Sequence, residues 1–170
     1  DSAAVFENKT KQLYRYFLSR QWSKLAPLIA IMLNPSTADA FKNDPTVQLI
    51  ENLAKSMGFG GYVVLNVAAF RATEPKDMLK QKDPIGVHNP KVINAVINAV
   101  TQRWKITPAI LLAYGNNIDK IPNGKSTIQT VIDSCKETDN LLCLEITKKN
   151  HPRHPLYFDT SKVPQRYLPW

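Results

Sequence analysis

Three sets of polar residues stand where they could do chemistry. Asn34, Ser36 and Thr37 follow the apolar run Leu28 to Leu33, with Asp39 just beyond. Asn66 closes the run Tyr62 to Leu65, and Arg71 follows five residues later. His151 and His154 lie among Lys148, Lys149 and Arg153 in a proline-rich loop. A carboxamide both donates and accepts, so Asn34 and Asn66 can each hold a water or read a base edge. Asn34 can equally make an Asx-type turn bond ahead of Pro35. A buried Asn66 must be hydrogen-bonded, so it either ties down a neighbouring loop or meets a ligand. The cations around the two imidazoles disfavour their protonation and keep them as neutral donors. Arg71 is a candidate anion contact or a salt-bridge partner for Glu74 or Asp77.

Other chemistries fit less well. Cys135, Cys143, His151 and His154 are potential zinc ligands in order, yet no C-x2-4-C pair is present, so no metal is expected. Gly124-Lys125-Ser126-Thr127 has the tail of a phosphate loop, but Asp119 stands where its first glycine belongs. No G-x-S-x-G elbow occurs. Nothing calls for a cofactor.

These groups need a scaffold. Leu28–Leu33, Tyr62–Leu65, Ala109–Ala113 and Leu141–Ile146 read as buried strands. Asp44-Pro45 and Asn89-Pro90 each pair an N-cap with a proline at the first helical position. Val47, Ile50, Leu53, Ala54 and Met57 continue the first helix to Gly58; Val92, Ile93, Val96, Ile97 and Val100 continue the second. Ser126–Cys135 is a third helix. Tyr14–Leu18 reads as an opening strand, Met78–Asn89 as irregular, and Leu156–Phe158 as a short strand. Residues 1–12 are expected to be flexible. Alternation of strands with helices predicts one α/β domain over 1–170, three layers deep, with a four-stranded, mainly parallel sheet. Right-handed crossovers then bring the strand carboxyl ends to one rim. That rim carries Asn34 to Thr37, Asn66, Tyr114 to Asn117, and Thr147.

The net charge is +8 and the pI about 9.5, a balance that favours polyanionic partners. A nucleic acid or nucleotide is the expected ligand, with Lys148, Lys149 and Arg153 as phosphate contacts. The densest basic and aromatic stretch is Lys9 to Arg20 with Trp22, which reads equally as a phosphate surface or an alternating edge strand. No apolar run approaches the roughly 18 residues of a membrane span. Two isolated cysteines imply no disulfide framework, so a reducing cytoplasm is the expected compartment.

The stretches YRYFLSRQW, IMLNPSTADA, NDPT, GFGGYVVLNVAAFRAT and PRHPLYF resemble the bacterial and phage family catalogued as domain of unknown function 1643. More distantly, the order of motifs is similar to that of the uracil-DNA glycosylase superfamily. That similarity implies a glycosylase-like fold and a hydrolase acting on a base or nucleotide. MLNPS would place Asn34 on the attacking water, and VVLN would place Asn66 on the base. ILLAYG would correspond to a strand that ends in Trp-Gly, and HPRHPL would offer His151 or His154 to the leaving group, His154 preferred. Asp39 or Asp44 would assist the water, because an amide cannot take its proton. Ser36, Thr37, Arg71 and Tyr114 would line the substrate; Phe41 and Phe59 are candidate stacking rings.

Overall fold

The computed structural model describes residues 1–7, 12–135, 140–158 and 162–168. In chain order its elements are β1 (Ser2–Phe6), β2 (Arg15–Gln21), β3 (Pro27–Met32), α1 (Pro45–Ser56), β4 (Gly61–Asn66) and α2 (Pro75–Leu79). They continue with α3 (Asn89–Trp104), β5 (Ile110–Ala113), α4 (Gly124–Ser134), β6 (Leu141–Cys143) and β7 (Gln165–Arg166). Short 3-10 turns occupy Asn116–Lys120 and Pro155–Tyr157.

The sheet runs β1-β2-β4-β3-β5-β6-β7. Its four inner strands β4, β3, β5 and β6 are parallel and coincide with the four apolar runs. Every residue of β3, β4 and β5 is buried, which explains the absence of polar alternation there. The expectation of four strands is corrected to seven, because β1, β2 and β7 add antiparallel flanks. Within residues 1–12, Ser2–Phe6 forms a strand that pairs with β2. β2 overlaps the opening strand expected at Tyr14–Leu18, whereas β1 and β7 carry no apolar run, β1 being mostly exposed and β7 two residues long. Lys9 and Lys11 of the basic stretch lie outside the described residues.

Successive side chains of a strand point to opposite faces, so each inner strand feeds two cores. On one face Leu28, Ala30, Met32, Tyr62 and Val64 pack beneath Val47, Ile50 and Ala54 of α1. On the other, Ile29, Ile31, Val63, Leu65 and Leu112 pack against Ile93, Ile97 and Val100 of α3 and Ile128, Val131 and Ile132 of α4. The layers are therefore α/β/α.

Local starts follow the caps, with two amendments. Asp44 caps α1, its Oδ1 accepting the Val47 N–H at 2.9 Å, with Pro45 in the first turn. Asn89 is not the cap of α3; that position belongs to His88. Asn89 lies fully buried in the first turn and donates to Asn66 O (2.9 Å) and Val67 O (3.0 Å), clamping the end of β4. The strand expected near Leu156 is a 3-10 turn instead, because Pro155 supplies no N–H to a ladder.

The topology fixes where a ligand can enter. From β3 the chain crosses over α1 to β4 on one side; it then returns over α3 to β5 on the other. Crossovers that part on either side of one strand leave a crevice at its carboxyl end. Here that strand is β3, and the residues at its end are Leu33 to Thr37.

Candidate functional site

A cleft of about 790 Å³ occupies this crevice. That is within the roughly 300–1,000 Å³ usual for small-molecule sites. Met32, Leu33, Asn34, Ser36 and Thr37 line it from β3, and Tyr114 to Asn117 from β5. Asp44, Pro45 and Thr46 contribute the start of α1, and Thr147, Lys148, Arg153 and His154 the loop after β6. Thus three of the four polar strand ends converge as the topology requires.

Asn34 lines the cleft, and its side chain is tied to the backbone by donation rather than by an Asx-type turn. Its Nδ2 donates to Ala72 O at 2.8 Å and to Pro35 O at 3.0 Å, which fixes the amide plane. Its Oδ1 receives no hydrogen bond among the described residues and is left to accept from water or ligand. Arg71 supports the same loop rather than the ligand. Its Nε donates to Ser36 O at 3.1 Å, and it stacks on Phe6 with its guanidinium carbon 5.1 Å from the ring centroid. It neither lines the cleft nor pairs with Glu74 or Asp77.

The two histidines separate cleanly. His151 Nε2 lies 3.0 Å from both carboxylate oxygens of Asp119, which also binds Lys125 at 2.7 Å, and it does not line the cleft. These two partners hold the Asp119 carboxyl below its ordinary range. His154 lines the cleft, and its Nδ1 accepts the Leu156 N–H at 3.3 Å. The proton of the neutral ring is therefore on Nε2, which makes no hydrogen bond among the described residues. Burial pushes the His154 pKa down, and Asp44 offsets that only in part. The ring is a neutral donor at pH 7.

A depressed folded-state value means that the unfolded chain binds this proton more readily. The stability His154 confers is complete above about pH 6.5, the ordinary imidazole value. It is lost as pH falls through the lowered folded value. Melting temperature should thus drop more between pH 7.5 and 5.5 in the wild type than in His154→Gln; equal drops would contradict the assignment.

Besides Arg71 and His151, three further candidate site residues fall outside the lining. Asp39 sits in a turn, where its Oδ1 accepts Phe41 N–H (2.8 Å) and Lys42 N–H (2.9 Å). Those bonds lower its pKa, and it does not reach the cleft. Two carboxylates do line it, Asp44 and Glu74; Asp44 has Oδ1 on Val47 N–H and Oδ2 on Ala38 N–H. Lys149 is exposed away from the lining, whereas Lys148 and Arg153 belong to it. Arg153 Nε is 2.8 Å from Glu145 Oε2. Neither stacking candidate lines the cleft: Phe41 is 96% exposed, and Phe59 packs against the α1-side core.

Asn66 is the third. It pairs with Met32 across β4 and β3, is fully buried, and does not line the cleft. Neither of its amide atoms has a partner. Burying an unbonded polar group costs about 1–3 kcal/mol. Asn66→Ala should therefore change stability by less than about 1 kcal/mol, since that relief offsets lost packing. A denaturation loss of 3 kcal/mol or more would show the amide to be bonded in solution.

Tyr114 contributes a ring but not a free hydroxyl, because its phenol bonds that of Tyr167 and burial pushes its pKa strongly up. Among the described residues no three His, Cys, Asp or Glu side chains converge as metal ligands, and no helix is long and apolar enough to cross a membrane. Among the lining residues with no place in the motif-based site is Arg15, the fully buried first residue of β2.

A family model described as a protein of unknown function, DUF1643, matches residues 15–156. The chain belongs to this family. The matched span opens at Arg15 and closes at Leu156, two residues that line the cleft, so the whole site lies within the DUF1643 region. No curated protein and no solved structure matches the chain.

Proposed function

We propose that this DUF1643 protein hydrolyses the bond between base and sugar in a nucleotide or nucleic-acid substrate, as the similarity to uracil-DNA glycosylases implies. One observation carries the reading. Asn34, whose Oδ1 receives no hydrogen bond among the described residues, and the neutral His154 line a single cleft, in segments that resemble the water-holding and leaving-group motifs of that superfamily. Asn34 would accept a hydrogen bond from the water that attacks the sugar carbon; the water's oxygen bonds that carbon, and the proton it loses ends on the departing base. As the carbon–nitrogen bond breaks, its electron pair leaves with the base, and His154 Nε2–H stabilises the charge that develops there. Ser36 and Thr37, rather than the buried Asn66, would meet the base.

A second reading is a nucleotide-binding protein without turnover. It is favoured by Asp44, which lines the cleft together with a second acid, Glu74, and whose own two oxygens already accept backbone N–H groups. A carboxylate so engaged is a weaker base toward water. Incubation with nucleotides and with oligonucleotides carrying modified bases, followed by chromatography for free base, separates the two. Base release is the expected result. Binding without release would leave the second reading, and absence of both would contradict each.

A further inference from the structure

We propose that Arg15 holds the terminal phosphate of a nucleotide, so that the cleft takes nucleoside monophosphates in preference to nucleic-acid strands. The inference rests on the cleft being a nucleotide-directed site and names the substrate class within it.

The sequence position of Arg15 does not by itself bring it to the cleft. Phe17, two residues on, packs into the core on the α3 face of the sheet. By simple alternation Arg15 would share that face. The ladder between β1 and β2, however, pairs Val5 with Phe17 and Phe6 with Arg15, leaving Tyr16 as an extra residue. Such a bulge re-aims a side chain. Arg15 consequently reaches the α1 side, where its Nη1 donates to Ala38 O at 2.8 Å; Ala38 belongs to the core beneath α1.

That single bond leaves Nε and Nη2 buried with no hydrogen-bond partner among the described residues. These two nitrogens lie along one edge of the guanidinium. It is the edge that engages two oxygens of a phosphate or carboxylate in parallel. A buried cation with two idle donors is costly to maintain, and here it forms part of the cleft wall. Burial lowers its pKa only to about 10, so it stays charged at neutral pH. Asp44 attracts it but is bonded to Val47 and Ala38, and no ion pair joins the two. Arg20 and Arg71 add positive potential nearby. Pro45 and Thr46, from the N-terminus of the 12-residue α1, line the same cleft, and a helix dipole there favours an anion.

Depth selects the source of the phosphate. A terminal phosphate is free on three sides and can be driven to the buried edge of Arg15. A phosphodiester continues in both directions and stays at the mouth. At the mouth Arg153 is occupied by Glu145, so the lining leaves Lys148 as the exposed cation for a strand.

Calorimetric titration of the full chain tests this with inorganic phosphate, a panel of nucleosides, their 5′-monophosphates, and a single-stranded oligonucleotide lacking terminal phosphates. At least one monophosphate should bind ten-fold or more tighter than its nucleoside and be displaced by excess inorganic phosphate. Arg15→Met should reduce that ratio below three-fold. Should that variant fail to fold, the Arg15 Nε–H resonance of the wild type gives the answer; it should shift with the monophosphate and not with the nucleoside. Equal affinity for nucleoside and monophosphate, or an unmoved Arg15 resonance, overturns the inference while leaving a nucleoside-directed cleft. Tighter binding of the oligonucleotide overturns it in favour of strands. Failure of every base-containing compound to bind removes the functional reading as well.

Discussion

Replacing His154 by alanine is expected to lower kcat for base release by roughly 10²–10³-fold, the usual effect of deleting one donor from an oxyanion-type site. The reason is the state of the ring rather than its mere presence. Leu156 N–H engages Nδ1, so the proton is directed to Nε2, and burial keeps the ring uncharged. A neutral donor poised beside a leaving base contributes mainly when negative charge develops there, so KM should move little. His154→Gln retains an N–H donor and should recover part of the loss. Steady-state kinetics on wild type and both variants checks the split. An unchanged kcat in His154→Ala would reduce the histidine to a packing partner of Gly115.

Gly115→Ala is the second large effect, and it acts on stability and site together. Gly115 has φ 71° and ψ −174°, a backbone region open essentially to glycine. Forcing alanine there costs about 1–3 kcal/mol. A Cβ at this position would also stand 3.2 Å from the Cβ of His154, tighter than ordinary contact. The backbone cannot yield easily, because Gly115 N–H donates to Pro152 O at 2.9 Å and so ties the end of β5 to the histidine loop. The variant should melt several degrees lower and bind the cleft's ligand more weakly even where it is fully folded. Thermal unfolding with ligand titration below the transition tests both; a wild-type melting curve would contradict the strain.

The close approach of Gly115 to His154 illustrates what sequence alone can and cannot convey. Tyr114-Gly115 was recognisable as a strand end, but a positive φ and its facing residue are tertiary facts. The four inner strands were legible because burial on both faces leaves continuous apolar runs, as in Leu28 to Leu33. The flanking β1 and β7 have no such run, and β1 became recognisable only through its pairing with β2. Asn34 is legible because strand topology sends its segment to the rim, whereas His154 is singled out over His151 by the resemblance of the segment PRHPLYF. Asn66 ends a strand at that same rim yet lies below the floor, because it is held in register beside Met32 within β4. Asp39 and Asp44 are five residues apart on one loop; the turn bonds of Asp39 turn it away, and the cap of α1 brings Asp44 in. Arg15 was hidden for a further reason. Its direction depends on the extra residue at Tyr16, and no spacing rule in a basic, aromatic stretch announces a bulge.

The central claim is that the cleft at the carboxyl end of β3 is where this DUF1643 protein meets its ligand. Amide chemical-shift mapping during titration with nucleoside monophosphates tests it most directly. The account predicts that the largest shifts fall on Asn34, Thr37, Thr46, Gly115 and His154. Shifts confined to the smaller apolar hollow at Ile50, Leu53 and Phe158, or no shifts at millimolar ligand, would contradict it.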